Sequence, residues 1–322
     1  MLGGIARVEW LDLHKLRVFV AVAEQEHFSR AAEGLGISQP ALTAHVRDLE
    51  RHFGAPLFER VGRGVRLTDA GRLVQGYARR LLGLAVELDE AVDDLRGLRA
   101  GQLRLGASTT IGEYLLPPAL GAFCRGYPGV GVTVEIANTG RIADRLRHGE
   151  LHLGLIGEPL DDPDLECEPY RDDHLVLVVP PGHRWAGAEV SPRELAGEPL
   201  IAREPGSATR DVTEAALAAA GATWTAGLEL GGTEAVKGAV AAGLGVAFVS
   251  ACAVEPDLAA GRLARATVRG VAIQRQFQLA RRRGRRLTAA EAAFIPVLQQ
   301  TAAVEKATDP HRDRRNPHSR WQ

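Results

Sequence analysis

Cysteine, lysine and net charge are all scarce in this chain. The three cysteines, Cys124, Cys167 and Cys252, lie far apart with no Cys-x-x-Cys and no histidine at ligand spacing. That excludes a disulfide scaffold and a cysteine metal cluster, and it points to buried thiols in a reducing cytoplasm. No apolar run reaches the ~18 residues of a membrane-spanning helix. The opening residues, MLGGIARVEW, lack a basic stretch followed by an apolar one, so no secretion signal is read there. Thirty-nine basic residues face forty acidic ones, a net charge of −1. Whole-chain electrostatics therefore gives no sign of nucleic acid, and any such contact needs a local basic surface. Lysine occurs only at Lys15, Lys237 and Lys306, so arginine in place of lysine at a position carries little information. What is present is core material: 45% hydrophobic and 25% charged residues over 322 positions, the make-up of a soluble globular chain of two domains or slightly more.

From Leu13 the sequence turns to dense helical periodicity. Leu13, Leu16, Val20 and Ala23 recur three or four apart, as the buried face of a helix does. A short second helix begins at Phe28 and ends near Gly36. Ser38 N-caps a third, which tolerates Pro40 in its first turn and stops at Gly54. Ala32 is small where two helices would cross, and Leu35, Ile37, Leu42, Val46 and Leu49 supply an inner face. This is the layout of a helix-turn-helix, whose second helix enters the DNA major groove. Gln39, Thr43 and Arg47 fall at i, i+4 and i+8 on its outward side. Glutamine suits adenine, threonine a thymine methyl or a phosphate, and arginine guanine or phosphate. The alternative is a plain solvated face of a three-helix bundle. Residues 57–68, LFERVGRGVRLT, read as two strands around a Gly-Arg-Gly tip, a wing that places Arg63 for a narrow minor groove and Arg60 and Arg66 for phosphates.

Ser29-Arg-Ala-Ala-Glu33, Ser38-Gln-Pro-Ala-Leu-Thr43, Leu49-Glu50, Leu57-Phe-Glu-Arg60 and Leu67-Thr-Asp-Ala-Gly71 together resemble the N-terminal signature of the LysR-type transcriptional regulators. The expected head is a winged helix-turn-helix over 12–68, with Ser38, Gln39, Pro40, Thr43, Arg47, Arg60 and Arg63 as DNA-binding candidates. Ala44 stands where many members carry a basic residue, so that position is given no DNA contact. Thr68 then caps a long helix over 69–98. Its Leu81, Leu84, Leu88, Ala91, Leu95 and Leu98 alternate three and four apart as a heptad seam. Packing on its own domain is one reading. A partner copy of the same helix suits a seam that outruns the head, and it would give two heads for a two-fold DNA site.

From Gln102 strands and helices alternate: strands at 103–106, 132–136 and 153–156, with helices at about 115–127 and 141–148. A second set follows, with strands at 175–179, 200–201, 228–230 and 246–249 and helices at 210–220 and 234–242. A strand at 276–280 and a helix at 289–300 close the pattern. Such alternation argues for an open parallel α/β sheet. In a two-lobed, hinged binding module the chain crosses over and returns, which sends the last pair back to the first lobe. The resemblance, extending over about 13–303, implies this α/β, two-lobed, periplasmic-binding-protein-like effector domain. Its expected span is 101–303, with lobe 1 at 101–162 and 270–303 and lobe 2 at 163–269. The polar tail 304–322 is expected to be disordered.

Four loops at the carboxyl ends of strands combine helix N-termini with hydroxyls: Ser108-Thr109-Thr110, Asn138-Thr139-Gly140, Ser207-Ala-Thr209-Arg210 and Gly232-Thr233. Each serves equally as a simple N-cap, but four at one sheet edge point to an oxyanion site. Arg210 adds a charge suited to bidentate pairing. The effector-binding candidates are Ser108, Thr109, Thr110, Thr139, Gly140, Ser207, Thr209, Arg210 and Thr233, with Thr109, Ser207, Thr209 and Arg210 foremost. Gly112-Glu-Tyr-Leu-Leu-Pro117 and Arg203-Glu-Pro-Gly-Ser-Ala-Thr-Arg210 are similar to the branch that holds regulators of carbon fixation and of sulfur assimilation. That implies a small anionic metabolite as effector, with no further cofactor. Gly243-Leu-Gly245 lacks the third glycine of a dinucleotide fingerprint and ends a helix, and no Walker lysine, HExxH or GxSxG is present, which speaks against an enzyme. A transporter's solute-binding protein would carry an export signal and no reading head, and a DNA-binding protein indifferent to ligands is the remaining rival. The expectation is a cytoplasmic, ligand-responsive regulator of promoter DNA. The family resemblance further implies a homodimer that pairs into a tetramer and an output through DNA bending and RNA polymerase.

Overall fold

The computed structural model describes residues 11–62, 64–94 and 101–308. Arg63, Leu95, Leu98 and most of the tail therefore lie outside the described residues. The chain forms two compact units. In the first, α1 (Leu13–Gln25) is opened by Asp12, whose carboxylate accepts from His14 N at 2.8 Å. It buries Leu16, Val18, Phe19, Val20 and Val22 against α2 (Phe28–Leu35) and α3 (Gln39–Phe53). Gly36 takes φ +66° between α2 and α3, a left-handed turn that a side chain would strain. Ala31 and Ala32 are buried in the core beside Val18, Val22, Leu42 and Val46. The wing is an antiparallel pair, β1 (Phe58–Val61) and β2 (Gly64–Leu67). It is tied to the end of α1 by Val65 N donating to Glu26 O at 2.9 Å. Glu50 accepts from Leu57 N at 2.9 Å, and Phe58 packs its ring on Phe19 and Phe28. Thr68 Oγ1 accepts from Gly71 N at 3.0 Å to start α4 (Asp69–Asp94). Along α4, Leu73, Tyr77, Leu81, Leu84, Leu88 and Val92 are all exposed.

The second unit opens with β3 (Gly101–Ser108), a π-helical turn (Ile111–Leu115), α5 (Leu116–Gly126), β4 (Val130–Ala137), α6 (Thr139–Arg147) and β5 (Leu153–Ile156). The long β6 (Leu165–Val179) leads to β7 (Glu189–Val190), β8 (Leu200–Arg203), α7 (Ala208–Ala219), β9 (Ala226–Leu230) and α8 (Thr233–Ala241). Then come β10 (Ala247–Ser250), α9 (Ala251–Ala259), β11 (Ala264–Val268), β12 (Ile273–Arg282) and α10 (Ala289–Thr308). The main sheet runs β4-β3-β5-β12-β6-β11-β7, with β10 also on β6, while β8 and β9 form a small parallel pair.

The expectation of an open parallel sheet is corrected here. β3 is parallel to β4 and β5, but β12 is antiparallel to β5 and β6, and β10 and β11 are antiparallel to β6. The cause is a ribbon of two long crossing strands. β6 pairs with β12 from Leu165 to Leu175 and continues into the second lobe against β10 and β11; β12 meets β5 over Gln278–Arg281. Because Glu166, Glu168, Arg171 and Asp172 make the first half of β6 polar, apolar patterning finds only its buried end from Leu175. Each lobe keeps its own core. One is built on Leu103, Leu105, Phe123, Leu153, Phe277 and Phe294, the other on Leu177, Val179, Trp185, Leu217, Val246 and Phe248. The buried-thiol reading is also corrected, since Cys124 on α5 is exposed and Cys167 and Cys252 are half-buried. No helix among the described residues is long and apolar enough to cross a membrane.

The start of α10 is held by a buried polar cluster. Glu291, fully buried, accepts from Thr288 N and Arg285 Nη1, both at 2.9 Å, and lies 3.3 Å from His152 Nδ1. Its own N–H donates to Thr288 Oγ1, which completes a capping box. Burial by itself would raise the Glu291 pKa. Hydrogen bonds with His152 and Arg285 and the Arg285 charge outweigh it and hold the carboxyl below the usual carboxylate range. A depressed acid stabilises the fold in full above its unfolded pKa, and loses that contribution as pH falls through the folded value. Glu291→Ala is expected to cost ~3–5 kcal/mol in denaturant unfolding. The wild-type unfolding midpoint should fall as pH drops below about 4, and Glu291→Gln should flatten that dependence.

Candidate functional site

The outward side of α3 carries the residues that would read DNA. Ser38, Gln39, Pro40 and Arg47 are exposed, as is Arg60 on the wing, and Thr43 is half-buried. Arg63 lies outside the described residues. Ser38 Oγ accepts from Ala41 N at 3.3 Å, which spends its acceptor on the helix start. Thr43 Oγ1 donates back to Gln39 O at 2.9 Å. Gln39 Oε1 accepts from Ser29 Oγ at 2.9 Å, so a residue of α2 restrains the carboxamide.

In the second unit a small cavity of ≈ 10 Å³, room for about one water, is lined by Ser108 at the end of β3, Thr109 and Thr110 just after it, and Asn138 and Thr139 at the start of α6. The rest of its wall is Gly157, Arg203, Ser207, Ala208, Thr209 and Arg275. The carboxyl end of β3, the N-termini of α6 and α7, the end of β8 and the crossing strand β12 thus converge. The lobes touch here directly. Gly140 N donates to Gly206 O at 3.0 Å, Asn138 Nδ2 to Pro205 O at 3.2 Å and Arg203 Nη2 to Thr109 Oγ1 at 3.3 Å. Farther out Tyr114 OH donates to Glu234, and Lys237 lies over the Tyr114 ring.

The lining holds two arginines and no carboxylate. Thr109, Thr139 and Thr209 each accept a hydrogen bond from the protein: from Arg203 Nη2, from Gly157 N at 3.2 Å and from Arg275 Nη1 at 2.9 Å. A hydroxyl whose lone pair is engaged this way still has its proton to give. With the α6 and α7 N-termini alongside, the cavity is rich in donors, the chemistry of an oxyanion site.

Among the sequence candidates, Ser108, Thr109, Thr110, Thr139, Ser207 and Thr209 come together at this cavity. Thr233 stands behind it and accepts from Arg203 Nη1 at 3.1 Å, and Gly140 serves the lobe contact. Arg210 is not brought in. Its Nε reaches Glu214 at 2.8 Å and its Nη1 reaches Glu229 at 2.7 Å and Arg203 O at 3.1 Å. The arginines that do line the cavity, Arg203 and Arg275, were not among the candidates. Arg203 lies within the quoted Arg203–Arg210 motif, at the end of a strand. Arg275 sits in a polar-apolar alternation, IQRQFQLARR, that gives no local sign of it. Arg203 is bidentate to Glu204, at 2.7 and 2.9 Å. Glu158, beside Gly157, is pushed up to about 7 by burial and by the nearby Asp211 carboxylate, against the pull of Arg275.

Two family models match the chain, the bacterial regulatory helix-turn-helix protein of the lysR family over residues 13–72 and the LysR substrate binding domain over 96–303. A RuBisCO operon transcriptional regulator of Allochromatium vinosum is 37% identical over 294 residues, 91% of this chain and 97% of that protein. A full-length OxyR from Pseudomonas aeruginosa superimposes with a TM-score of 0.62 at 30% identity, covering 91% of this chain and 95% of that one. The regulatory domain of Synechocystis CcmR, solved in complex with 2-PG, matches with a TM-score of 0.59 at 30% identity, covering 62% of this chain and 97% of that one.

The Ser29–Gln39 contact carries its own test. Gln39→Ala should lower discrimination at one base-pair position by ~1–3 kcal/mol in competition binding. Ser29→Ala keeps the carboxamide but frees it to rotate, so it should blunt the preference at that same position by less. Equal affinity of wild type and Gln39→Ala for every base there would mean that Gln39 reads nothing.

Proposed function

Because the chain belongs to the LysR family of DNA-binding transcriptional regulators, we propose that its two-lobed domain senses a small metabolite bearing a phosphate or carboxylate and passes that signal to promoter DNA. The chain is a regulator with an effector-binding domain and not an enzyme, as its relatives are. The observation that carries the effector's class is the cavity wall, two arginines and at least three hydroxyls whose protons are free to donate, with no carboxylate among the lining residues. The likeness to a domain solved in complex with 2-PG supports the same class.

With room for about one water, the cavity admits a metabolite only if the lobes part. Binding then trades the lobe-to-lobe hydrogen bonds for contacts to the ligand, and the difference shifts the equilibrium between arrangements. The exposed apolar stripe of α4 supports pairing of two copies through that helix, which sets two heads on a two-fold DNA site in the cytoplasm. Higher assembly and the handing of the signal to RNA polymerase complete the reading.

The test is binding of the full-length protein to DNA flanking its own gene across a salt series, with and without 2-PG. Specific DNA should win over random DNA by about 10³-fold or more, and 2-PG or a related anion should change that affinity or the bend. Affinity and bend indifferent to every anion would leave a ligand-independent DNA-binding protein. A pH dependence is expected as well. Glu158 is neutral below about 7 and ionised above it, so its charge opposes an incoming anion only at the higher pH. Sulfate, whose charge is constant between about pH 6 and 8, should bind several-fold more weakly at the upper end by calorimetry, and Glu158→Gln should remove the difference.

A further inference from the structure

Arg275 is the side chain whose hydrogen bonding remains incomplete in this cavity. It stands on β12 directly opposite Asp173 of β6, at the crossing of the two strands that join the lobes. Its side chain is 3% exposed. Nε donates to Asp173 Oδ2 at 2.8 Å, Nη1 donates to Thr209 Oγ1 at 2.9 Å, and the guanidinium lies over the Phe277 ring. Nη2 is buried with no hydrogen-bond partner, and among the described residues lining the cavity it is the one side-chain polar atom in that condition. A buried donor left unpaired is costly, and a charged one more so. Asp173 is itself engaged twice, by Arg275 and by Ser250 Oγ at 2.7 Å, so it does not turn to meet Nη2. A charged N–H left open beside hydroxyls and two helix N-termini suits one oxygen of a phosphate or carboxylate, with the hydroxyls for another.

We propose that Arg275, through Nη2, is the charged anchor for the effector's anionic group, and that it transmits occupancy to the hinge because its other nitrogens hold Asp173 on the second crossing strand and Thr209 on the second lobe. The proposal rests on the reading that this cleft takes an anionic effector. Arg203, by contrast, has both edges engaged by Glu204, Thr233 and Thr109 and serves to shape the wall.

The experiment uses the full-length protein with 2-PG and sulfate as probes, measured by calorimetry beside DNA affinity and melting temperature without probe. Arg275→Lys keeps the charge but loses the planar fork. Arg275→Gln combined with Asp173→Asn removes the charged pair together, so that no buried carboxylate is stranded. Both should still bind DNA. Probe affinity should fall by ~10-fold in the lysine variant and by up to ~100-fold in the paired one, and the probe's effect on DNA binding should be lost. If the paired variant does not fold, the lysine variant decides. Probe affinity unchanged in a folded Arg275→Lys, with only the melting temperature lowered, makes the residue purely structural and overturns the proposal. Binding lost in Thr109→Val but kept in the Arg275 variants overturns the anchor while sparing the cleft. A wild-type protein that binds neither probe overturns the anionic-effector reading and the anchor with it.

Discussion

The buried ion pair between Arg275 and Asp173 is the constraint around which the second unit is arranged. It sits where β6 and β12 cross from one lobe to the other, and both side chains are almost wholly out of water. Removing two charges from water costs several kcal/mol per ion unless the remaining donors and acceptors find partners. The fold supplies all but one from the second lobe: Ser250 at the end of β10 bonds Asp173, Thr209 in the first turn of α7 bonds Arg275 Nη1, and Nη2 alone is left open. The pair thereby locates α7 and β10 against the crossing strands, and through α7 the Ser207 and Thr209 hydroxyls. The polar wall of the cleft and the satisfaction of the hinge are one hydrogen-bond system.

That system is where a ligand bound between the lobes would act on their equilibrium. A ligand that engages hinge groups in one arrangement of the lobes and not in another has differential affinity, and only such a difference moves an equilibrium. The coupling is reciprocal and typically 1–3 kcal/mol, similar to the value of a single charge-assisted hydrogen bond. One hydrogen bond from an arginine is therefore of the right size to carry it. In the head the same economy holds at smaller scale. Ser29 on α2 sets the amide of Gln39, while Ser38 and Thr43 spend their hydroxyls on the helix itself.

The head was legible because its signals are local: the helical spacing of Leu16 and Val20 on α1 and of Leu42, Val46 and Leu49 on α3, the Ser38 cap and the glycines at 36 and 54 each act within a few residues. Four hydroxyl loops were legible for the same reason, since each is a strand end followed by a helix cap. The first half of β6 was not, because its alternating charges pair across the ribbon, Glu166 and Glu168 with Arg281, in place of facing a core. Arg210 looked like the anion's partner beside Ser207 and Thr209, yet Glu214 one turn on and Glu229 on the neighbouring strand take its guanidinium.

The sequence alone therefore determined the winged helix-turn-helix, the long apolar-striped helix and the alternation of strands and helices with hydroxyls at the strand ends, since propensity, capping and periodicity are set by near neighbours. Tertiary structure alone decided the mixed sheet and which arginines face the cleft. The partners of Arg275 stand 66 and 102 residues away, and the Thr109 that receives Arg203 is 94 residues away. Charge pairing over such separations depends on which strands become neighbours, and no local pattern carries that information.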